Sequence, residues 1–129
     1  MRDLIDRFYA HIWNLWDDAA VADLLDERFI FRGSLGDEAT GQNGFRGYRD
    51  KIRAAFPDFR NEILDLITEG NRAAARLRYT GHHRGEILGI PATGILVTYH
   101  GAAFFTARDG RLAEAWVLGG VDSLRRQLT

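Results

Sequence analysis

Three features of the sequence predict an α+β fold. The first half carries apolar side chains at helical spacing. The second half alternates with a period of two. Asp109-Gly110, lying between two such runs, is a strong hairpin signal. Helices grouped ahead of antiparallel strands make a sheet packed on one helical layer. When such a sheet curves strongly it wraps the helices and leaves room for a small molecule between the layers.

Residues 3–16 read as an amphipathic helix, with Leu4, Ile5, Phe8, Ile12, Trp13, Leu15 and Trp16 near a 3.6-residue repeat. Residues 19–27 form a second short helix that Asp17 or Asp18 can cap. "RFIFR" (28–32) is a short strand, and "GSLGDEATGQNG" (33–44) reads as a loop. A third helix runs from Phe45 to Phe56, with Phe45, Tyr48, Ile52 and Phe56 on one face, and Pro57 ends it. Strands follow at 59–70 and 72–81, with a turn at Glu69-Gly70-Asn71. The second places Ala73, Ala75, Leu77 and Tyr79 on one face and Arg76 and Arg78 on the other. Residues 82–94 are a loop, Ile95–Ala107 and Arg111–Val121 are long strands, and Asp122–Leu128 is a closing helical turn.

A two-residue turn at Asp109-Gly110 sets Arg108 opposite Arg111. With no bulge, Ala103 faces Trp116, Gly101 faces Leu118 and Tyr99 faces Gly120, all on one side with Phe105 and Glu114. His100 and Gly119 then lie on the other side with Phe104, and a bulge at the glycine pair would shift the register.

The chain has 129 residues, 46% hydrophobic and 27% charged, which suits one domain spanning 1–129. Its net charge of −1 gives no reason to expect a nucleic-acid or membrane-surface partner. The absence of cysteine excludes disulfides, thiolate nucleophiles and sulfur-ligated metals. The opening "MRDLIDRFYAHIW" carries acids inside its apolar pattern and does not read as a signal peptide, and no run is long enough to span a membrane. A cytoplasmic location is expected.

Three segments carry a resemblance: "AAFPDF" (54–59), "GNRAAARLRYTGHHRGEILGIPATG" (70–94) and "DGRLAEAWVLGGVDSLRRQL" (109–128). They resemble the SnoaL-like polyketide cyclase (ester cyclase) family of the nuclear transport factor 2-like superfamily. The most specific pieces are the TG-x-H-x-G…G-x-P-x-TG loop and the final tryptophan followed at a distance by "QL". The resemblance implies a cone-shaped barrel, an apolar pocket for a small hydrophobic carbonyl compound, and a homodimer formed through the outer sheet face. It also implies cofactor-free intramolecular aldol closure or isomerisation by an acid/base aspartate on the last strand. That position, four residues after Trp116, is Gly120, which cannot transfer a proton. The alternative is therefore a non-catalytic ligand-binding or dimeric interaction module.

Two residues are candidates for the missing group. Asp122 is either a displaced base or the N-cap of the last helix. His83, the histidine of the loop motif, is either a pocket base or a residue that orders the loop. Asp122 with Arg76 is the only hint of a hydrolase cluster. Trp13, Phe31, Phe45, Tyr79, Tyr99, Phe105 and Trp116 are the candidate pocket wall, and core packing explains the same pattern. No metal site is expected, because adjacent histidines such as His82 and His83 in a strand or its end point to opposite sides.

Overall fold

The computed structural model describes residues 1–129. The N-terminal helix begins as α1 (Arg2–Arg7) and continues as a π-helical turn over Phe8–Trp13. A wider turn rotates later side chains relative to an α-helix. Phe8, Tyr9, Ile12 and Trp13 face inward, on the side that helical spacing from Ile5 sets, while Leu15, expected on the apolar stripe, is 66% exposed. Asp17 caps α2 (Asp18–Leu24) by accepting from the amides of Ala19 and Ala20.

The second helix is shorter than expected, because Leu25 already belongs to β1 (Leu25–Arg32). The expected loop at 33–44 contains an edge strand, β2 (Glu38–Thr40), and the first turn of α3 (Gly41–Ala55). Strands β3 (Arg60–Glu69), β4 (Arg72–His82), β5 (Leu96–Arg108) and β6 (Arg111–Gly119) form a meander. The chain closes with α4 (Val121–Leu128).

The six strands make one sheet in the order β2-β1-β6-β5-β4-β3, antiparallel except between β1 and β6. Its concave face holds the core against α1, the π-turn and α3. Phe8, Phe29, Phe45 and Phe105 are fully buried there, with Phe8 5.8 Å from Phe45 and 5.6 Å from Phe105 between ring centroids.

The final hairpin turns at Asp109-Gly110, both with positive φ, as a two-residue primed turn requires. Arg108 pairs with Arg111 as expected. The register then departs: Ala107 pairs with Leu112 but Thr106 pairs with Glu114, leaving Ala113 as an extra residue in β6. This bulge lies near the turn rather than at the glycine pair, and it moves every later β6 residue by one. Trp116 consequently pairs with Phe104 and points outward, and Val117 points inward.

Beyond Gly119 the edge of β5 is finished by a side chain. Gln127 accepts from the amide of Thr98 (3.0 Å) and donates to its carbonyl (2.7 Å), as a neighbouring strand would.

Candidate functional site

The cavity lies between the concave sheet face and the helical layer. The π-turn contributes Phe8, Tyr9 and Trp13, and α3 contributes Tyr48 and Ile52. Phe31 and Ser34 come from β1 and the turn after it. The sheet supplies Asn61, Tyr79, Tyr99 and Val117, and Phe59 stands just before β3. The cavity volume is only about 30 Å³. That is space for one or two waters, so a ring-sized ligand requires side chains to move.

All four tyrosines of the chain line this cavity. Asn61 pairs with Tyr79 across β3 and β4, and Tyr79 pairs with Tyr99 across β4 and β5. The three side chains therefore form one inward row. The rings of Tyr79 and Tyr99 are 4.9 Å apart, and Phe59 stacks on Tyr79 at 5.6 Å with an 18° interplanar angle. On the opposite wall Tyr48 lies 5.0 Å from Phe31.

Glycines make this crowding possible. A Cβ at Gly33 would come within 2.1 Å of Tyr48, and one at Gly101 within 2.5 Å of the Tyr79 hydroxyl. The inward Gly119 clears Ser34 in the same way, where a Cβ would lie 2.4 Å from the serine Cβ.

Burial pushes the phenols of Tyr9, Tyr79 and Tyr99 well above their ordinary value, and neighbouring phenols add to the effect. Burial also raises Tyr48, while hydrogen bonds from Ser34 and the Leu35 amide pull in the opposite direction. At neutral pH all four are hydrogen-bonding hydroxyls rather than bases. Asn61, only 5% exposed, has a buried Nδ2 with no partner. An unsatisfied buried donor of this kind costs about 1–3 kcal/mol. No Asp, Glu, His, Lys or Arg lines the cavity. The arrangement can stack on a flat ring and donate hydrogen bonds to neutral oxygen atoms. It contains no group poised to remove a proton from carbon.

Of the expected wall residues, Trp13, Phe31, Tyr79 and Tyr99 border the cavity. Phe45 and Phe105 lie behind it as buried core. Trp116 is corrected outright: the bulge at Ala113 turns it to the outer face, under the guanidinium of Arg32 at 5.0 Å.

Gly120 does not border the cavity. It is the N-cap residue of α4, and its amide donates to the His100 carbonyl at 2.7 Å. Asp122 is exposed in the first turn of α4 and makes no capping hydrogen bond. It is therefore neither at the cavity nor the cap, and its charge lies near the positive end of a short helix.

His83 is fully buried outside the cavity lining. Its Nδ1 accepts from the Thr93 amide (3.2 Å) and lies 2.9 Å from the Thr93 hydroxyl. Backbone bonds from His83 to Ile95 and from Gly94 to His83 tie the same loop. Gly85 lets this loop meet the end of α3, where a Cβ would lie 2.2 Å from the Ala54 carbonyl oxygen. The most specific motif of the sequence thus orders a loop. His82 pairs with Asp58 at 2.6 Å near the surface, and His100 is exposed on the outer sheet face.

Sequence reasoning missed Tyr9, Ser34, Tyr48 and Asn61 as members of the wall. Asn61 carried a usable signal, a polar residue on the same strand face as Ile63. Tyr9 also carried a usable signal, since it stands four residues after Ile5 and four before Trp13 on one helical face.

No curated protein matches the sequence. A protein of Jannaschia sp. CCS1 assigned as a SnoaL-like polyketide cyclase superposes with a TM-score of 0.90 at 18% identity, covering 98% of this chain and 90% of its own. TsrD of Streptomyces laurentii gives 0.86 at 28% identity, covering 98% and 92%. IdmH of Streptomyces antibioticus, assigned as a polyketide cyclase, gives 0.86 at 24% identity, covering 98% and 96%. The sequence profile of the SnoaL-like polyketide cyclases matches residues 3–128. With nearly the whole chain matched and the fold shared, this chain belongs to the SnoaL-like polyketide cyclase family.

Proposed function

We propose that the domain binds a small, uncharged, oxygen-bearing ring compound in the tyrosine-walled cavity and does not act on it as a proton-abstracting cyclase. The observation that carries this reading is the composition of the wall: four protonated phenols, one amide and no ionised side chain. A charged ligand would lose its hydration there without gaining a counter-charge. Aldol closure or isomerisation by general acid/base chemistry requires a positioned base, and Gly120, Asp122 and His83 all lie outside the cavity lining.

Acetophenone provides a direct test, because it is neutral, has a single ring and carries exchangeable protons beside a carbonyl. Calorimetry is expected to detect its binding, and proton NMR in D₂O is expected to show no acceleration of methyl-proton exchange by the protein. Accelerated exchange that disappears in Asp122→Asn or His83→Gln would replace this reading with the acid/base one.

We further propose that two copies associate through the outer sheet face. Ile30, Phe104, Trp116 and Leu118 are exposed on neighbouring strands of that face, forming a single apolar strip. Sedimentation equilibrium tests this: a dimer is expected for the native chain and a monomer for Phe104→Asp.

A further inference from the structure

Three buried polar atoms lack a partner, on Arg49, Asn61 and His83, and only that of Asn61 belongs to a cavity-lining residue. The backbone of Asn61 is held on both sides. Its amide donates to Oδ1 of Asn14 (2.8 Å), and its carbonyl accepts from Nδ2 of Asn14 (3.0 Å). Asn14 is the residue that ends the π-turn, so the helical layer closes the free edge of β3 at this point.

The outcome is a carboxamide at the end of the row formed with Tyr79 and Tyr99, on a backbone that cannot slide away. Its buried donor does not bond to the fold, although a leucine of similar size would fill the place without that penalty. A fixed donor without a partner, beside stacked rings, matches a flat ligand that brings its own acceptor.

We infer that Asn61 is the specificity-determining residue of the cavity, its Nδ2–H donating to a carbonyl oxygen borne by an aromatic or similarly planar ring. This rests on the cavity being a ligand site. A carbonyl is favoured over a carboxylate because no cation lines the wall. The ring lies against the Phe59–Tyr79 stack, and the amide selects for the oxygen.

The test compares acetophenone with α-methylstyrene, which replaces the carbonyl oxygen with a methylene of similar shape. Calorimetry on the native chain is expected to favour acetophenone by about tenfold, the worth of one net hydrogen bond. Asn61→Leu is expected to bind both equally and to melt higher without ligand. In the native ¹⁵N-labelled chain, the side-chain NH₂ resonances of Asn61 shift with acetophenone and stay in place with α-methylstyrene, a readout independent of whether any variant folds. Equal binding of the two probes by the native chain, or a preference that survives Asn61→Leu, overturns the role of Asn61 while leaving the cavity as a ligand site. Failure of both probes to bind the native chain overturns both readings.

Discussion

Phe104 lies directly opposite Trp116 across β5 and β6, their rings 6.1 Å apart and both turned away from the cavity. The single extra residue Ala113 is the cause, since a strand has a side-chain period of two and one inserted residue reverses every position after it. The tryptophan that marks the family pattern therefore belongs to the outer face, together with Arg32 and Leu118.

Trp116→Ala accordingly separates two properties. Acetophenone binding measured by calorimetry is expected to remain within about twofold of native. Self-association measured by sedimentation is expected to weaken by about tenfold or more, as loss of a large interface aromatic does. Loss of probe binding with unchanged association would return Trp116 to the pocket.

The four tyrosines predict a specific alkaline response. Each phenol has its folded pKa raised above the ordinary value of 10.0 by burial first of all. A raised folded pKa contributes stability that is complete below the unfolded value and lost as pH climbs toward the folded one. Absorbance at 295 nm is expected to stay flat through about pH 10 and then rise together with loss of circular dichroism. Gradual tyrosinate formation around pH 10 in the folded chain would contradict the burial of these rings.

Gly33 is required for space rather than for backbone conformation. An added Cβ would meet the Tyr48 ring at 2.1 Å, so Gly33→Ala must displace the ring. A loss of about 1–3 kcal/mol in urea unfolding is expected, the usual cost of overpacking. Pairing it with Tyr48→Ala should recover most of that loss in a double-mutant cycle. Purely additive effects would mean that the two residues do not compete for the same volume.

Arg49 is 2% exposed and hydrogen-bonds to both Asp18 and Asp50. The Arg49 hydrogen bond leads the causes that hold the Asp18 carboxyl below its ordinary value. A depressed carboxyl contributes stability that is present above the unfolded pKa, about 3.9, and lost as pH falls through the folded one. Asp18→Asn is expected to lose about 1 kcal/mol at neutral pH, a small figure because Asp18 itself stands largely in solvent. Urea midpoints at pH 7, 5 and 3 should converge with native toward acid. A constant difference at all three would assign the loss to packing.

The order of the longer elements, the hairpin turn at Asp109-Gly110 and the inward faces of β4 and β5 could be read from local pattern, the short edge strand β2 could not, and the Gly120 departure came from the family resemblance. Strand alternation and turn chemistry are carried by neighbouring residues, so Tyr79 and Tyr99 were found on the inner face without knowledge of the fold. The expected roles of Asp122 and His83 were less legible. A base and a helix cap, or a base and a loop anchor, use the same residue types, and only position distinguishes them.

By itself the sequence determined the family, the layer architecture and the absence of an acid at Gly120, because each depends on residue identity and short-range order. Only the tertiary structure decided which side chains meet in the cavity. The stretch "LAEAW" contains nothing that marks Ala113 as an extra residue, and "RFYAHIW" contains nothing that marks a π-turn. The bulge then reverses the facing of every later β6 side chain. The unpartnered amide of Asn61 is a consequence of the same kind, set by Asn14 across forty-seven residues of chain.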